Sequence, residues 1–135
     1  MKVVVDTNVL LSAAWRDKSP EAVVLWIAEQ DDWEWLVSED ILAEYRDVLW
    51  RSKFNLPQEK LTRWENIISK RTELIEVSLE VEFPRDQKDA MFLACALVSH
   101  ADFMITGDPD FSEMKKLTDT TIISISAFKR LFVDG

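Results

Sequence analysis

Glycine, cysteine, histidine and long apolar runs are all scarce in this chain, and each scarcity removes a class of function. Only Gly107 and Gly135 occur in 135 residues, so there is no glycine-rich loop of the kind that cradles phosphates in dinucleotide-binding folds and nucleoside triphosphatases. The single cysteine, Cys95, lies inside an apolar run. It reads as a small core residue in a reducing compartment rather than a nucleophile or ligand. The single histidine, His100, closes a helical pattern and reads as a C-terminal cap rather than a base. No stretch reaches the roughly 18 apolar residues of a membrane span, the longest candidate covering residues 90–98, and the N-terminus carries no signal-peptide pattern. A cytoplasmic protein with no membrane association is expected.

Positive charge is also in deficit. A net charge of -9 argues against binding nucleic acid by overall charge, because phosphate contacts come mainly from Lys and Arg. The distribution is uneven, however. Between residues 51 and 71, Arg51, Lys53, Lys60, Arg63, Lys70 and Arg71 face only Glu59 and Glu65, so one segment is basic in an acidic protein.

What is present in quantity is apolar side chain, at 47%, enough for one globular domain over residues 1–135 with a substantial core. Val3-Val4-Val5 is a β-branched run suited to a strand buried on both faces. It ends on Asp6 and passes through Thr7-Asn8 into a helix over residues 7–14. Ser19-Pro20-Glu21 starts a second helix that ends near Gln30. Trp35-Leu36-Val37 is a short strand. Ser38 then caps a helix whose stripe is Ile41, Leu42, Tyr45, Val48 and Leu49. Pro57, in a first turn, opens a helix with Leu61, Trp64, Ile67 and Ile68 inward, and a strand is predicted over residues 74–77. After a charged link to Arg85, residues 86–100 read as helix and Phe103-Met104-Ile105 as a buried strand. Residues 111–117 read as a short helix, Thr121-Ile122-Ile123 as a strand and residues 127–132 as the closing element. Strands separated by helices imply an α/β fold with a mainly parallel sheet and helices on both faces.

Acids recur where ligands bind in such sheets, at the carboxyl ends of strands. Asp6 follows the first strand. Asp108 and Asp110 follow the strand at 103–105, at the same edge if the two are parallel. Glu44 borders the apolar stripe of its helix, a poor place for an unpaired charge. Asp86 and Asp89 share the first turn of their helix, and Asp89 precedes a run of buried residues. Any one of these acids alone reads as a cap or turn residue. Asp6, Glu44, Asp89 and Asp108 gathered at one edge would repel one another, an arrangement retained most readily when divalent cations sit between them. Oxygen ligands without a cysteine or histidine cluster favour Mg²⁺ or Mn²⁺ over zinc.

The segments VVVDTNVLLSA, SEDILAEYRDVL, RDQKDAMFLACAL and DFMITGDPDF resemble, in order and spacing, the four motif regions of PIN-domain ribonucleases. The likeness is greatest to the toxin components of prokaryotic toxin–antitoxin systems akin to VapC toxins. It implies a three-layer α/β/α fold with a central parallel sheet, and metal-dependent cleavage of single-stranded RNA. Asp6, Glu44, Asp89 and Asp108 fall at the family's acidic positions, with Asp110 a further metal candidate. Asn8 and Thr106 match polar positions that orient the site. The resemblance also implies a homodimer and a cognate antitoxin, with Trp15, Trp33 or Trp50 lining the contact surface. Lys53, Lys60 and Arg63 of the basic segment are the candidates for RNA contact.

Two other enzyme-like classes fit less well. A phosphoaspartyl phosphatase would place an acid where Asn8 stands, and a receiver domain would place an acidic pair near the end of the first strand. The alternative from a different class is a catalytically inactive PIN-like module that binds RNA or an antitoxin. It is distinguished by the absence of turnover with any divalent metal.

Overall fold

The computed structural model describes residues 1–16, 18–78, 90–107 and 115–135. Strand β1 (Lys2–Val5) sits inside the sheet, and Val3, Val4 and Val5 are each 0% exposed. Because successive strand residues point to opposite faces, three consecutive buried valines mean that both faces of β1 are covered. The sheet order is β3-β2-β1-β4-β6-β5, with β2 at Glu34–Val37, β3 at Thr72–Leu74, β4 at Phe103–Thr106, β5 at Lys115–Leu117 and β6 at Thr120–Ser124. Every pairing is parallel except that of β5 with β6. The fold is therefore the expected α/β architecture with a mainly parallel central sheet.

The helices are α1 (Thr7–Arg16), α2 (Ser19–Glu29), α3 (Glu39–Leu49), α4 (Gln58–Arg71), α5 (Ala90–Ser99) and α6 (Ile125–Phe128). The last runs on into a π-helical turn, Lys129–Val133. Pro20 lies in the first turn of α2, where its missing N–H costs no helical hydrogen bond. Ser38 caps α3 as its position suggests, its Oγ accepting from the Ile41 N–H at 3.2 Å. Ile41, Tyr45, Val48 and Leu49 are buried along one stripe of that helix. Pro57 stands one position earlier than expected, as the N-cap of α4. His100 ends α5 with φ 53°, and the Ala101 N–H reaches back to the Ala96 carbonyl at 2.9 Å, a left-handed C-terminal cap.

Two expectations are corrected. The strand predicted over residues 74–77 lies at Thr72–Leu74 instead, paired with β2 in the register Trp35↔Thr72 and Val37↔Leu74. Within the helix predicted over 111–117, Lys115–Leu117 is strand β5, turned back onto β6 through Thr118 and Asp119. Residues 111–114 lie outside the described residues, as do 86–89 of the helix predicted over 86–100.

The tryptophans divide by environment. Trp35 and Trp64 are buried core residues. Trp26 and Trp33 are half-buried in an aromatic cluster with Phe103, Phe128 and Phe132. There Phe128 meets Phe132 at 4.8 Å, and Trp33 meets Phe132 edge to face at 5.1 Å. Trp33 is thereby engaged within the chain, whereas Trp15 and Trp50 are exposed. Cys95 is fully buried, and burial pushes its thiol up to about 11, which suits an inert core residue. No helix among the described residues is long and apolar enough to cross a membrane.

Replacing Ser38 by Ala removes the N-cap acceptor of α3 while leaving its apolar stripe intact. A loss of about 1 kcal/mol is expected in urea unfolding, with an unchanged dependence on urea concentration.

Candidate active site

The parallel strands all deliver their carboxyl ends to one edge, and four of those ends carry a buried polar residue. Asp6 follows β1, Ser38 follows β2, and Thr106 and Ser124 end β4 and β6; they are 6%, 6%, 8% and 7% exposed. In this setting hydroxyls are inexpensive because they cap helices, as Ser38 does for α3 and Ser124 for α6. A carboxylate is another matter, since its desolvation must be offset by donors or a cation.

Among the described residues, donors reach Asp6 from the start of α1 and from the end of β4. Its Oδ1 accepts the Asn8 N–H at 3.0 Å, the capping contact at the start of α1. Its Oδ2 faces the Thr106 hydroxyl at 3.4 Å and the Gly107 N–H at 3.5 Å, both long for strong hydrogen bonds. The register explains the meeting. Val5 lies opposite Ile105, and the Asp6 N–H donates to the Ile105 carbonyl at 3.0 Å, so the next residues along, Asp6 and Thr106, are brought side by side.

Glu44 arrives on α3 through its neighbour. The Tyr45 hydroxyl, fully buried, donates to the Val5 carbonyl, in the peptide that leads into Asp6, and accepts from the Trp35 indole N–H at 3.4 Å. Burial raises the Tyr45 phenol far above its ordinary value. The Trp35 hydrogen bond opposes that rise, and the carboxylates of Asp6 and Glu44 add to it. Glu44 is half-buried, and its Oε2 is buried with no hydrogen-bond partner among the described residues. The Thr7 hydroxyl, at the start of α1, is in the same condition.

Of the residues singled out in the sequence, Asp6, Thr106 and the Asn8 backbone are in mutual contact, and Glu44 is tied to them through Tyr45 and Val5. The Asn8 side chain is exposed. Asp86, Asp89, Asp108 and Asp110 lie outside the described residues, and within those residues no three potential ligands form a metal-holding group. The donor set still suits a hard cation. It offers carboxylate oxygens without thiolate or imidazole, one of them a buried oxygen of Glu44 awaiting a partner.

Two supporting residues went unnoticed in the sequence. In the sequence Tyr45 reads as one more member of an apolar stripe, although the only tyrosine of the chain, next to an acid on that stripe, is a signal that its hydroxyl has a buried task. Gly107 permits a close approach. A Cβ there would lie 3.2 Å from the Asn8 Cβ and 3.4 Å from the Val9 nitrogen, so a side chain would press on the first turn of α1.

A PIN domain profile matches residues 2–110, and the chain belongs to the PIN-domain family. The fold is shared with a chain in the crystal structure of VapBC2 from Rickettsia felis bound to a DNA fragment from their promoter. The two are 17% identical over 92% of this chain and 98% of that one, with a TM-score of 0.63. No curated protein matches the sequence.

Tyr45→Phe is expected to cost about 1–3 kcal/mol in chemical unfolding, because it leaves the Trp35 N–H without its acceptor and the Val5 carbonyl without this donor. Far-ultraviolet dichroism should be unchanged, since the ring still fills its place.

Proposed function

We propose that this protein is a divalent-metal-dependent endoribonuclease acting on single-stranded RNA, and the toxin of a toxin–antitoxin pair. The observation that carries the reading is a buried carboxylate, Asp6, at the end of an inner strand of a PIN-family sheet, together with a buried Glu44 oxygen that has no hydrogen-bond partner among the described residues, on the helix whose Tyr45 bonds the end of that strand. The family is one of nucleases. The VapBC2 structure, in which a toxin–antitoxin pair is bound to promoter DNA, supports an antitoxin as partner.

In this reading Asp6, Asp89 and Asp108 would hold Mg²⁺ or Mn²⁺, with Asp110 as an additional ligand, and Glu44 would either join them or orient water. The chemistry such a cation would supply when bound is a pKa for water lowered toward neutral pH and an offset to negative charge at phosphorus. The chain's own groups do the positioning. The Asn8 N–H fixes one oxygen of Asp6, Thr106 and Gly107 direct the other, and Tyr45 keeps the end of β1 against α3. No covalent nucleophile is required. Cys95 is buried with its thiol protonated, and His100 is an exposed cap paired with Asp119 at 2.9 Å.

RNA on either side of the cut still needs cations. Lys53 is exposed, Lys60 half-buried and Arg63 exposed, the last also 3.8 Å from Glu21. We assign these three residues to the RNA backbone, and a homodimer and cytoplasmic location complete the proposal.

Purified protein should cleave single-stranded RNA with Mg²⁺ or Mn²⁺, stop when EDTA is added, and lose activity in Asp6→Asn and in Asp89→Asn. Folded protein with no metal-stimulated cleavage across RNAs of varied sequence would identify an inactive RNA- or antitoxin-binding module instead.

In an Asp6→Asn background, changing Lys53, Lys60 and Arg63 together to Ser should flatten the slope of log affinity against log salt by up to about 2, at roughly 0.7 per phosphate contact. Equal affinity and slope would move the RNA path elsewhere.

A further inference from the structure

The ends of α1 and α3 carry a surface that the acidic site does not use. Trp15, the penultimate residue of α1, is 46% exposed, and Trp50, the C-cap of α3, is 52% exposed. Phe54, in the short turn between α3 and α4, meets Trp15 edge to face at 5.3 Å. Cations are interleaved with these rings. The Arg16 guanidinium stands 5.5 Å from the Trp15 ring centre, the Lys53 ammonium 5.0 Å from that of Phe54, and Arg51 follows Trp50. The nearby carboxylate of Asp47 is engaged by Arg51 at 2.9 Å.

We infer that Trp15, Trp50 and Phe54 form a base-stacking platform for single-stranded RNA, flanked by Arg16 and Lys53 on the phosphates; this rests on the nuclease reading of the acidic edge. Half-exposed indoles beside cations are what sequence-tolerant single-strand binding requires, because every base has a π-face and every linkage a negative charge. A second protein chain fits less well. Two half-exposed indoles present together about the area of one whole tryptophan, on the order of 200 Å², well short of the roughly 800 Å² per partner that a stable interface takes. Interface centres are also depleted in lysine.

The platform is attached to the acidic site by rigid elements. Trp15 stands nine residues beyond Asp6 along α1, about 13 Å at helical rise, and Trp50 stands six beyond Glu44 along α3, about 9 Å. The Trp50 N–H donates to the Arg46 carbonyl at 3.1 Å and that of Phe54 to the Arg51 carbonyl at 3.2 Å, so the backbone beneath both rings is fixed before RNA arrives. Bases held there would place a linkage a short, defined distance along the strand at the carboxylates. The platform thus sets how much RNA beside the cut is gripped.

The test measures binding of a fluorescein-labelled 12-nucleotide single-stranded RNA in EDTA by anisotropy, and its cleavage with Mn²⁺, for wild type, Trp50→Ala and Trp50→Phe. Trp50→Ala should weaken binding roughly 5- to 100-fold, the range for loss of one stacked base, while Trp50→Phe retains most of the affinity. Unlabelled RNA should quench tryptophan emission less in Trp50→Phe than in wild type. Undiminished affinity in Trp50→Ala overturns the platform, as does an equal loss in Trp50→Phe and Trp50→Ala. A fall from dimer to monomer in Trp50→Ala by sedimentation, with RNA affinity unchanged, overturns it in favour of a contact between copies. Wild type that cleaves RNA with Trp50→Ala unaffected removes the platform alone. RNA binding that depends on Trp50 without any cleavage removes the nuclease reading alone.

Discussion

The arrangement of this protein depends on the burial of one carboxylate at the end of a strand that has no solvent-facing side. Val3, Val4 and Val5 are covered on both faces, so Asp6 occupies the first position where the chain can turn toward water. Its donors come from the first turn of α1 and from the end of β4. The parallel pairing of β1 with β4 is what brings those two sources together. The same strand end is braced from α3 by Tyr45. A shift of one residue in the β1–β4 register would turn the valines to opposite faces and carry Thr106 away from Asp6, so core packing and site geometry are specified by one alignment.

How much of this was legible in the sequence follows from how locally each feature is determined. The Val3-Val4-Val5 strand, the Ser38 cap and the stripe on α3 are written in adjacent residues, and they appear where the pattern puts them. Strand β3 was misplaced because Thr72-Glu73-Leu74 directly follows the charged end of α4 and lies at a sheet edge. Among the described residues only one side is paired there, and side-chain identity constrains the backbone little. Strand β5 was read as helix because its return onto β6 depends on Thr118 at φ 48°. Threonine gives no hint of that conformation, unlike the Asn-Gly or Asp-Gly pairs that usually mark a hairpin.

The candidate site was legible in a different way. That acids would end β1 and border the stripe of α3 could be read from position alone, because a charge on or beside an apolar pattern needs a reason. The means by which Glu44 is linked to Asp6 could not be read. It runs through a tyrosine hydroxyl and a backbone carbonyl, groups whose partners depend on tertiary contacts forty residues apart in sequence. Gly107 escaped notice for the same reason: its small size matters only once α1 is packed against it.

The contacts of Asp6 also set the order of events during synthesis. Its hydroxyl and amide donors, Thr106 and Gly107, follow it by 100 and 101 residues. The aromatic cluster over β4 is closed only by Phe128 and Phe132. A chain emerging from the ribosome can fix one oxygen of that carboxylate at once, through the Asn8 N–H, whereas the other oxygen waits for β4 and the neighbouring core for Phe128 and Phe132. Non-local pairings of this kind carry a loop-closure cost before they are rewarded, so the second oxygen of Asp6 gains its donors only once β4 has docked beside β1.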